Sequence, residues 1–535
     1  MSKKIFMFIA NSVPIIDITY YHPPLYPLPS REGILKKSTF HLCEREVKNS
    51  PFPLCKGVLK KSPLPLRERV RVRGKKLKQL LRYFKIYSIY IFLIFSSFLT
   101  GCAGIQTTQE WEKVKTFSAE RTGVSVQWEK TEGDAKLIKE EVNKLLSDGL
   151  TEDDAVKIAL INNRALQATF EEIGVAKADL VQAGLFTNPN LSALFRFPFG
   201  GGGSDIEAAG LIKISDFWQI PLRKKVAAAR LETAILEVSD EILNTVADVK
   251  RAHNEYIALF MILREAEEMK SQMEGLKNHL VYRQEFGLTK KIDIYMADAE
   301  VLEFEEELSR IKKELQVSRF RLNRILGLFP EQSDYEVIGE LHEEFKQLPG
   351  LEAMITHAFS SRPDIQMLKV KVEDSRRVVA LERKRIFANV EAGIAYEKDT
   401  EGTSFLGPDI EIQLPLFDQN QAQITKAEYR LRQDEKELQA KMGVVREEVS
   451  AILEKVSFVR SRVNLIRDKL MTIRQTAVEY AEKYFDAMQL NMLYLLEARR
   501  GLLGAQRRLL EAQRDQRNEE IELERALGGM IPSSR

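Results

Sequence analysis

Asn389-Val-Glu-Ala-Gly-Ile-Ala-Tyr-Glu397 and Asp409-Ile-Glu-Ile-Gln-Leu-Pro-Leu-Phe417, joined by a polar loop containing glycine, decide the fold of this chain. Both runs alternate with period two. Val390, Ala392, Ile394 and Tyr396 share one face, and Glu391, Gly393, Ala395 and Glu397 the other, because successive strand side chains point in opposite directions. In the return run Ile410, Ile412 and Leu414 alternate with Asp409, Glu411 and Gln413. The spacing predicts a β-hairpin with one apolar and one acidic face. Two strands cannot bury an apolar face alone, and the flanking sequence offers only helical patterns.

Working outward, a counterpart lies upstream. Leu191, Ala193, Phe195, Phe197 and Phe199 alternate with Ser192, Leu194, Arg196 and Pro198, four glycines follow at 200–203, and Leu211 to Phe217 is read as the return strand. No Gly-Lys-Ser/Thr follows the glycines, so a hairpin tip explains them better than a phosphate loop. The two hairpins belong to two copies of one unit. Ala159 to Gln167 matches Ala358 to Gln366 at an offset of 199, and Leu322 to Gly327 matches Leu523 to Gly528 at 201. Residues 150–328 and 349–529 therefore form two repeats of helix, strand, strand, long helix and return helix, with a linker at 329–348 and a tail at 530–535.

The helical parts are long. From Leu222 apolar residues step by three and four for about sixty positions, up to a break at Phe286-Gly-Leu-Thr289, where Thr289 is placed to cap the next helix. The first repeat opens with Thr151 as an N-cap and a stripe from Ala155 through Asn162 to Leu180. The second repeat carries the cleanest seam: Leu438, Met442, Val445, Val449, Ile452, Val456, Val459, Val463, Ile466, Leu470, Ile473, Ala477, Tyr480 and Tyr484. Residues 102–149, polar and mixed with Trp111 and Trp128 as isolated anchors, read as a partly extended linker.

Composition narrows the function. Charged residues make up 30% of 535, with 80 basic against 78 acidic. Such a balance excludes a strongly basic nucleic-acid binder and suits solvated helices laced with ion pairs. Cys43, Cys55 and Cys102 are too few for a disulfide or zinc framework. Downstream of Cys102 the histidines are His253, His279, His342 and His357, on separate stretches, so no metal site or cofactor is expected. No nucleophile, base and orienting group cluster, so the chain does not read as an enzyme.

Residues Ile86 to Leu99 are apolar, follow a basic cluster (Lys75, Lys76, Lys78, Arg82, Lys85) and end in Leu99-Thr-Gly-Cys102. About 14 residues is short for a membrane span, which needs about 20. Residues 75–101 resemble a bacterial lipoprotein signal peptide, which implies lipidation, palmitate included, at Cys102. Ala103 in place of Asp implies sorting to the outer membrane. Residues 1–74, upstream of a complete signal and containing Gly33-Ile-Leu-Lys-Lys-Ser38 again as Gly57-Val-Leu-Lys-Lys-Ser62, read as spurious or disordered.

Four amphipathic strands are too few to close a membrane barrel, whose smallest examples have eight. Each predicted strand is about ten residues, enough to span a bilayer, and Trp218, Tyr396 and Phe417 fall at strand ends where aromatic girdles sit. Over residues 150–529 the chain resembles the TolC-like outer-membrane efflux protein family. The duplication, Asn188-Pro-Asn-Leu191, Ile412-Gln-Leu-Pro-Leu-Phe-Asp418, Gly287-Leu-Thr289 and the two terminal Leu-Gly pairs carry the likeness. The resemblance implies a mainly α fold with a membrane β-barrel: a homotrimer with a 12-stranded barrel in outer-membrane lipid and a coiled-coil α-barrel crossing the periplasm. A periplasmic adaptor would join it to an inner-membrane pump. Leu414-Pro-Leu-Phe-Asp-Gln-Asn-Gln421 resembles the heavy-metal and RND branch more than the protein-secretion branch.

The resemblance also assigns residues. Gly287, Leu288 and Thr289, with Met488, Gln489, Leu490 and Asn491, are the adaptor-contacting tips, the second departing from the family by replacing Gly. Glu497 and Asp293 take acidic positions of the periplasmic gate, with Tyr494 at a place often acidic. Arg196, Lys213, Glu391, Glu397, Asp409 and Glu411 line the pore within the barrel. Two other readings compete: a protein-secretion duct of the same fold, and a lipid-anchored coiled-coil scaffold without a pore.

Overall fold

The computed structural model describes residues 105–341, 347–387 and 389–531; the expected signal peptide, Cys102 and everything before it lie outside the described residues. These residues belong to one compact unit, Cys102–Arg535. In chain order its helices and strands are α1 (Thr108–Thr122), α2 (Glu132–Ser147), α3 (Glu152–Asn162), α4 (Arg164–Ala183), β1 (Asn190–Arg196), β2 (Asp205–Lys213), α5 (Asp216–Glu285) and α6 (Lys291–Leu326). The second repeat follows as α7 (Leu351–Ser361), α8 (Pro363–Lys384), β3 (Val390–Lys398), β4 (Ser404–Ile412), α9 (Gln421–Asn464), a π-helical segment Leu465–Met471, α10 (Thr472–Asp486) and α11 (Met492–Ala526).

Within the expected linker at 102–149, the described residues from 105 onward are largely helical, forming α1 and α2. Thr131 accepts the Asp134 N–H while the Asp134 carboxylate takes the Thr131 N–H, a reciprocal cap that starts α2. Trp111, Trp128 and Phe170 pack edge-on at 4.9 to 6.4 Å and pin α1 to α4. High charge hid this, because few apolar positions are needed when three aromatic rings supply the contact.

The predicted first helix is two. Asn163 breaks it: its Oδ1 caps Ala165 and Leu166, and its Nδ2 donates to the Ile325 carbonyl at 2.9 Å. Asn162, read as a stripe position, donates to the carbonyls of Leu326 and Gly327, both at 2.9 Å. Gly327, with φ of 69°, closes the joint, since a Cβ there would lie 2.4 Å from the Asn162 oxygen. The second repeat repeats this geometry with other chemistry: Gly528 (φ 85°) sits against Ser361, and Arg362 donates to the Ala526 carbonyl at 3.0 Å.

The long helices follow the predicted periods with two corrections. α5 begins at Asp216 rather than Leu222, so Pro221 lies inside its second turn instead of at its start, where its missing N–H leaves one helical bond unmade. At about 1.5 Å per residue its 70 residues span roughly 105 Å. Val445, Val449, Ile452, Val456, Val459 and Val463 of α9 and Ile466 of the π-segment are buried, as the seam requires. Beyond the π-segment, however, Ile473, Tyr480 and Tyr484 are exposed and Ala481 and Phe485 are buried in their place. A π-turn takes up one extra residue, which moves the buried line on by one position. α5 packs against α4, α6, α8 and α11, α11 in turn packs against α9 and α10, and α9 also packs against α8.

Among the described residues no helix is long and apolar enough to cross a membrane.

Candidate functional site

The four strands form one antiparallel sheet in the order β1-β2-β3-β4, so β1 and β4 are both open edges. The strands are shorter than the ten residues expected, at seven, nine, nine and nine. β1 ends at Arg196 because Pro198 has no N–H for the ladder, leaving Phe197 and Phe199 exposed in the turn. β2 begins at Asp205, ahead of the expected Leu211, and Phe217 is already helical.

The register assembles two coherent faces. Leu191, Ala193 and Phe195 pair laterally with Gly210, Ala208 and Ile206, and these with Ile394, Tyr396 and Lys398; Ile394 and Tyr396 then meet Pro408 and Leu406. Leu191, Phe195, Ile394, Leu406 and Ile410 are all exposed. A single chain thus presents one continuous apolar sheet face with nothing of its own to cover it.

The opposite face carries Arg196, Lys213, Glu391, Glu397, Asp409 and Glu411 together, the six residues expected to line a pore. Asp205 and Glu207 join them. Sequence reading missed both because the strand was started too late; the alternation Asp205, Glu207, Ala209, Leu211 was the available signal. Arg196 reaches Asp205 at 2.7 Å and Glu207 at 2.5 Å, and the Lys213 Nζ donates to the Asn389 side chain at 2.9 Å. Glu207 stands opposite Glu397 and Glu391 opposite Glu411. Six carboxylates against two cations leave the face acidic, and like charges across a ladder repel. Gly393 lets β3 approach β2 closely: a Cβ there would fall 1.8 Å from the Gly210 oxygen.

The two helix turns lie at the far ends of α5 and α10. Gly287 has φ of 70° and Met488 φ of 60°. In the first turn the Leu288 N–H donates to the Arg283 carbonyl at 3.0 Å, and in the second the Gln489 N–H donates to the Tyr484 carbonyl at 2.8 Å. Losing the glycine has therefore not changed the turn. Thr289 does not cap α6 as expected; the Asp293 carboxylate accepts the Lys290 N–H at 3.2 Å instead. Asn491 does cap its helix, accepting from Leu493 at 3.3 Å. Gly287, Leu288, Met488 and Gln489 are exposed, whereas Thr289 and Leu490 are half-buried. The turns share a core of Met273, Leu280, Val301, Phe304, Phe485 and Leu495.

Glu497 is exposed on α11. Its arginine neighbours are engaged elsewhere, Arg499 with Glu482 at 2.6 Å and Arg500 with Glu300 at 2.5 Å and Glu303 at 2.6 Å. Among the described residues no ion pair involves Glu497, and Asp293 serves as a cap rather than joining it. Among the described residues no group of three or more His, Cys, Asp or Glu could hold a metal ion.

The family model described as "Outer membrane efflux protein" matches residues 354–529. No curated protein matches the sequence significantly. Among solved structures the chain is similar to CusC, studied for conformational changes accompanying folding and transmembrane channel formation, with 16% identity and a TM-score of 0.61, covering 73% of this chain and 92% of that one. VceC, an outer membrane protein of Vibrio cholerae, is 18% identical with a TM-score of 0.60 over 71% and 97%. The open state of the Neisseria gonorrhoeae MtrE outer membrane channel is 16% identical with a TM-score of 0.59 over 73% and 89%. The fold, a long helical body carrying a four-stranded sheet, is of the TolC type.

Proposed function

We propose that the chain is one third of an outer-membrane channel in a tripartite efflux system, passively conducting what an inner-membrane pump exports. The observation that carries this reading is the sheet: one face apolar, the other acidic, and both edges open. Open edges cannot stand in lipid, and four strands cannot close. Three copies supply twelve, with β4 of one chain meeting β1 of the next. The apolar face then contacts lipid, and the acidic face lines a duct with a mild preference for cations. The helices, about 100 Å long, carry the duct across the periplasm. The solved relatives include proteins described as outer-membrane channels, in keeping with the reading.

In the same reading Cys102 carries the lipid anchor, and the Gly287 and Met488 turns meet a periplasmic adaptor that couples to a pump of the RND type. Glu497 and Asp293 copies converge near the threefold axis as part of a gate, where the carboxylates repel one another and their summed negative potential attracts cations. The test is purification from outer membranes followed by planar-bilayer recording. An SDS-resistant trimer with discrete, cation-preferring conductance is expected; a monomer, or a trimer that passes no current, sinks the proposal. Deletion with drug, metal and secreted-protein assays separates efflux from protein secretion.

A further inference from the structure

Beneath the sheet the helix ends are basic. Residues 176–187, 216–232, 376–387 and 418–432, which lead into or out of the strands, hold 13 basic against 6 acidic residues, whereas the whole chain is balanced at 80 against 78. A local excess of this size marks a surface for an anionic partner. Directly above it lies a band of exposed aromatic rings: Phe186 and Phe217, edge-on at 5.3 Å, and Phe387. Aromatic side chains of this kind sit where lipid meets water, so the band continues the apolar face of the sheet. On the other side of α5, Asp216 pairs with Arg223 at 3.0 Å, near Lys213 of the acidic face.

Three exposed lysines stand just below the band. Lys224 follows Phe217 by seven residues, about 20° round α5, and Lys225 lies within about 80° of the same line. The Lys224 stem runs over the end of α4, where a Cβ at Gly184 would lie 3.3 Å from its Cδ, two residues before Phe186. On α8, Lys384 precedes Phe387 by three residues and shares its side. Arg377, seven residues before Lys384 and on its line, donates to the Lys225 carbonyl at 3.2 Å, which sets the lysines of α5 and α8 on one flank. Arg377 and Arg383 are engaged by Glu373 at 3.4 Å and Glu428 at 2.8 Å, whereas among the described residues no ion pair involves Lys224, Lys225 or Lys384. Lys224 lies about 10 Å below Phe217 and Lys384 about 5 Å below Phe387. A headgroup layer is about 5–8 Å thick, and a lysine stem follows apolar surface while its ammonium reaches for charge.

We propose that Lys224, Lys225 and Lys384 form a collar that binds the phosphates of anionic glycerophospholipids in the leaflet on the helical side of the sheet. The proposal rests on the outer-membrane channel reading above and names the class of lipid that the channel selects around itself. Each ammonium offers three donors to phosphate oxygens, while Phe186, Phe217 and Phe387 lie against the first methylenes of the acyl chains. A free anion would use the charge alone. The aromatic band directly above the lysines calls for a ligand with an apolar tail, which a phospholipid has and inorganic phosphate lacks.

The test uses the full-length protein in detergent, mixed with equal amounts of phosphatidylglycerol and phosphatidylcholine, and reads retained lipid by native mass spectrometry. The parent is expected to retain phosphatidylglycerol in preference. Lys224→Gln, Lys225→Gln and Lys384→Gln should each weaken that preference about fivefold and together abolish it, while arginine at the same three positions should keep it. Lys426→Gln with Arg430→Gln removes cations that lie two residues either side of Glu428, about 160° round α9, and should leave the preference unchanged. Equal retention of both lipids by the parent, a preference that survives the three glutamines, or an equal loss in the Lys426 and Arg430 variant overturns the collar. Displacement of the lipid by millimolar inorganic phosphate would show a free-anion site and overturn the lipid assignment. In all these cases a trimer that conducts leaves the channel reading standing, whereas absence of any trimer or current in the parent counts against the channel itself.

Discussion

Met488 adopts the left-handed backbone of Gly287, 201 positions earlier, with φ of 60° against 70°. A side chain in that region costs about 1–2 kcal/mol, so the second turn is strained where the first is not. Met488→Gly is expected to stabilise the turn by about 0.5–1 kcal/mol, read as slower amide exchange at Gln489 and Leu490. Gly287→Ala should do the reverse. Equal exchange in both variants and the parent would show that the turn bears no strain.

Gly393→Ala places a methyl group where the Gly210 carbonyl already stands. Neither atom is on a flexible side chain, so β2 and β3 must separate. The expected outcome is a chain with its helical circular dichroism unchanged but little SDS-resistant trimer. Normal trimer yield would mean that the strands tolerate the extra atom.

Glu497→Ala is expected to raise single-channel conductance, because Glu497 is exposed and, among the described residues, Arg499 and Arg500 make their close ion pairs with other carboxylates. Asp293→Ala should act first on stability, by freeing the Lys290 N–H, at a cost of about 1 kcal/mol. Unchanged conductance in Glu497→Ala removes that residue from the gate.

Arg362 is buried and holds Asp364 and Glu448, both at 2.8 Å, together with the Ala526 carbonyl. Burial alone would raise the Asp364 carboxyl, but Arg362 and Lys441 outweigh it and bring it to about 2. The folded value lies below the unfolded one, so this stabilisation is present above about pH 4 and is lost as pH falls towards 2. Arg362→Met takes one of two cations from each carboxylate, leaving Asp364 with Lys441 at 2.9 Å and Glu448 with Arg525 at 2.5 Å, and frees the Ala526 carbonyl, a cost of about 1–3 kcal/mol. Denaturation midpoints at pH 7 should show that loss, and the variant should keep only part of the parent's extra sensitivity between pH 4 and 2.

His253 is buried in the core, its Nε2 3.2 Å from the Leu150 carbonyl oxygen. Burial pushes its pKa below the usual 6.5, against the opposing pull of that carbonyl. The folded form therefore binds fewer protons, and stability falls as pH drops through 6.5. Melting temperature should decline from pH 7.5 to 5.5 in the parent and less steeply in His253→Gln. Parallel slopes would clear His253 of the effect.

The alternation in residues 389–417 and the duplication were enough to predict two hairpins on long helices, because strand and helix periods are set by local geometry. What escaped was set by contacts between distant segments. Asn162 and Asn163 read as ordinary helix positions until Ile325, Leu326 and Gly327 arrive to be capped. Ile473, Tyr480 and Tyr484 fit the seam in sequence and leave it in space, since a π-turn has no compositional mark. Glu391, Glu397, Asp409 and Glu411 were found by alternation alone, whereas Asp205 and Glu207 were lost to a misplaced strand start.

Gly327 against Asn162, and Gly528 against Ser361, hold the same place in the two halves of the chain. The residues around them differ, Asn162 and Asn163 standing where the other copy has Ser361 and Arg362, and at the helix turns a glycine stands where the other copy has a methionine. At these joints a single methyl group has nowhere to go. The Leu-Gly pairs near residues 327 and 528 thus act as a steric archive of the duplication, legible today because divergence there was closed off by lack of room.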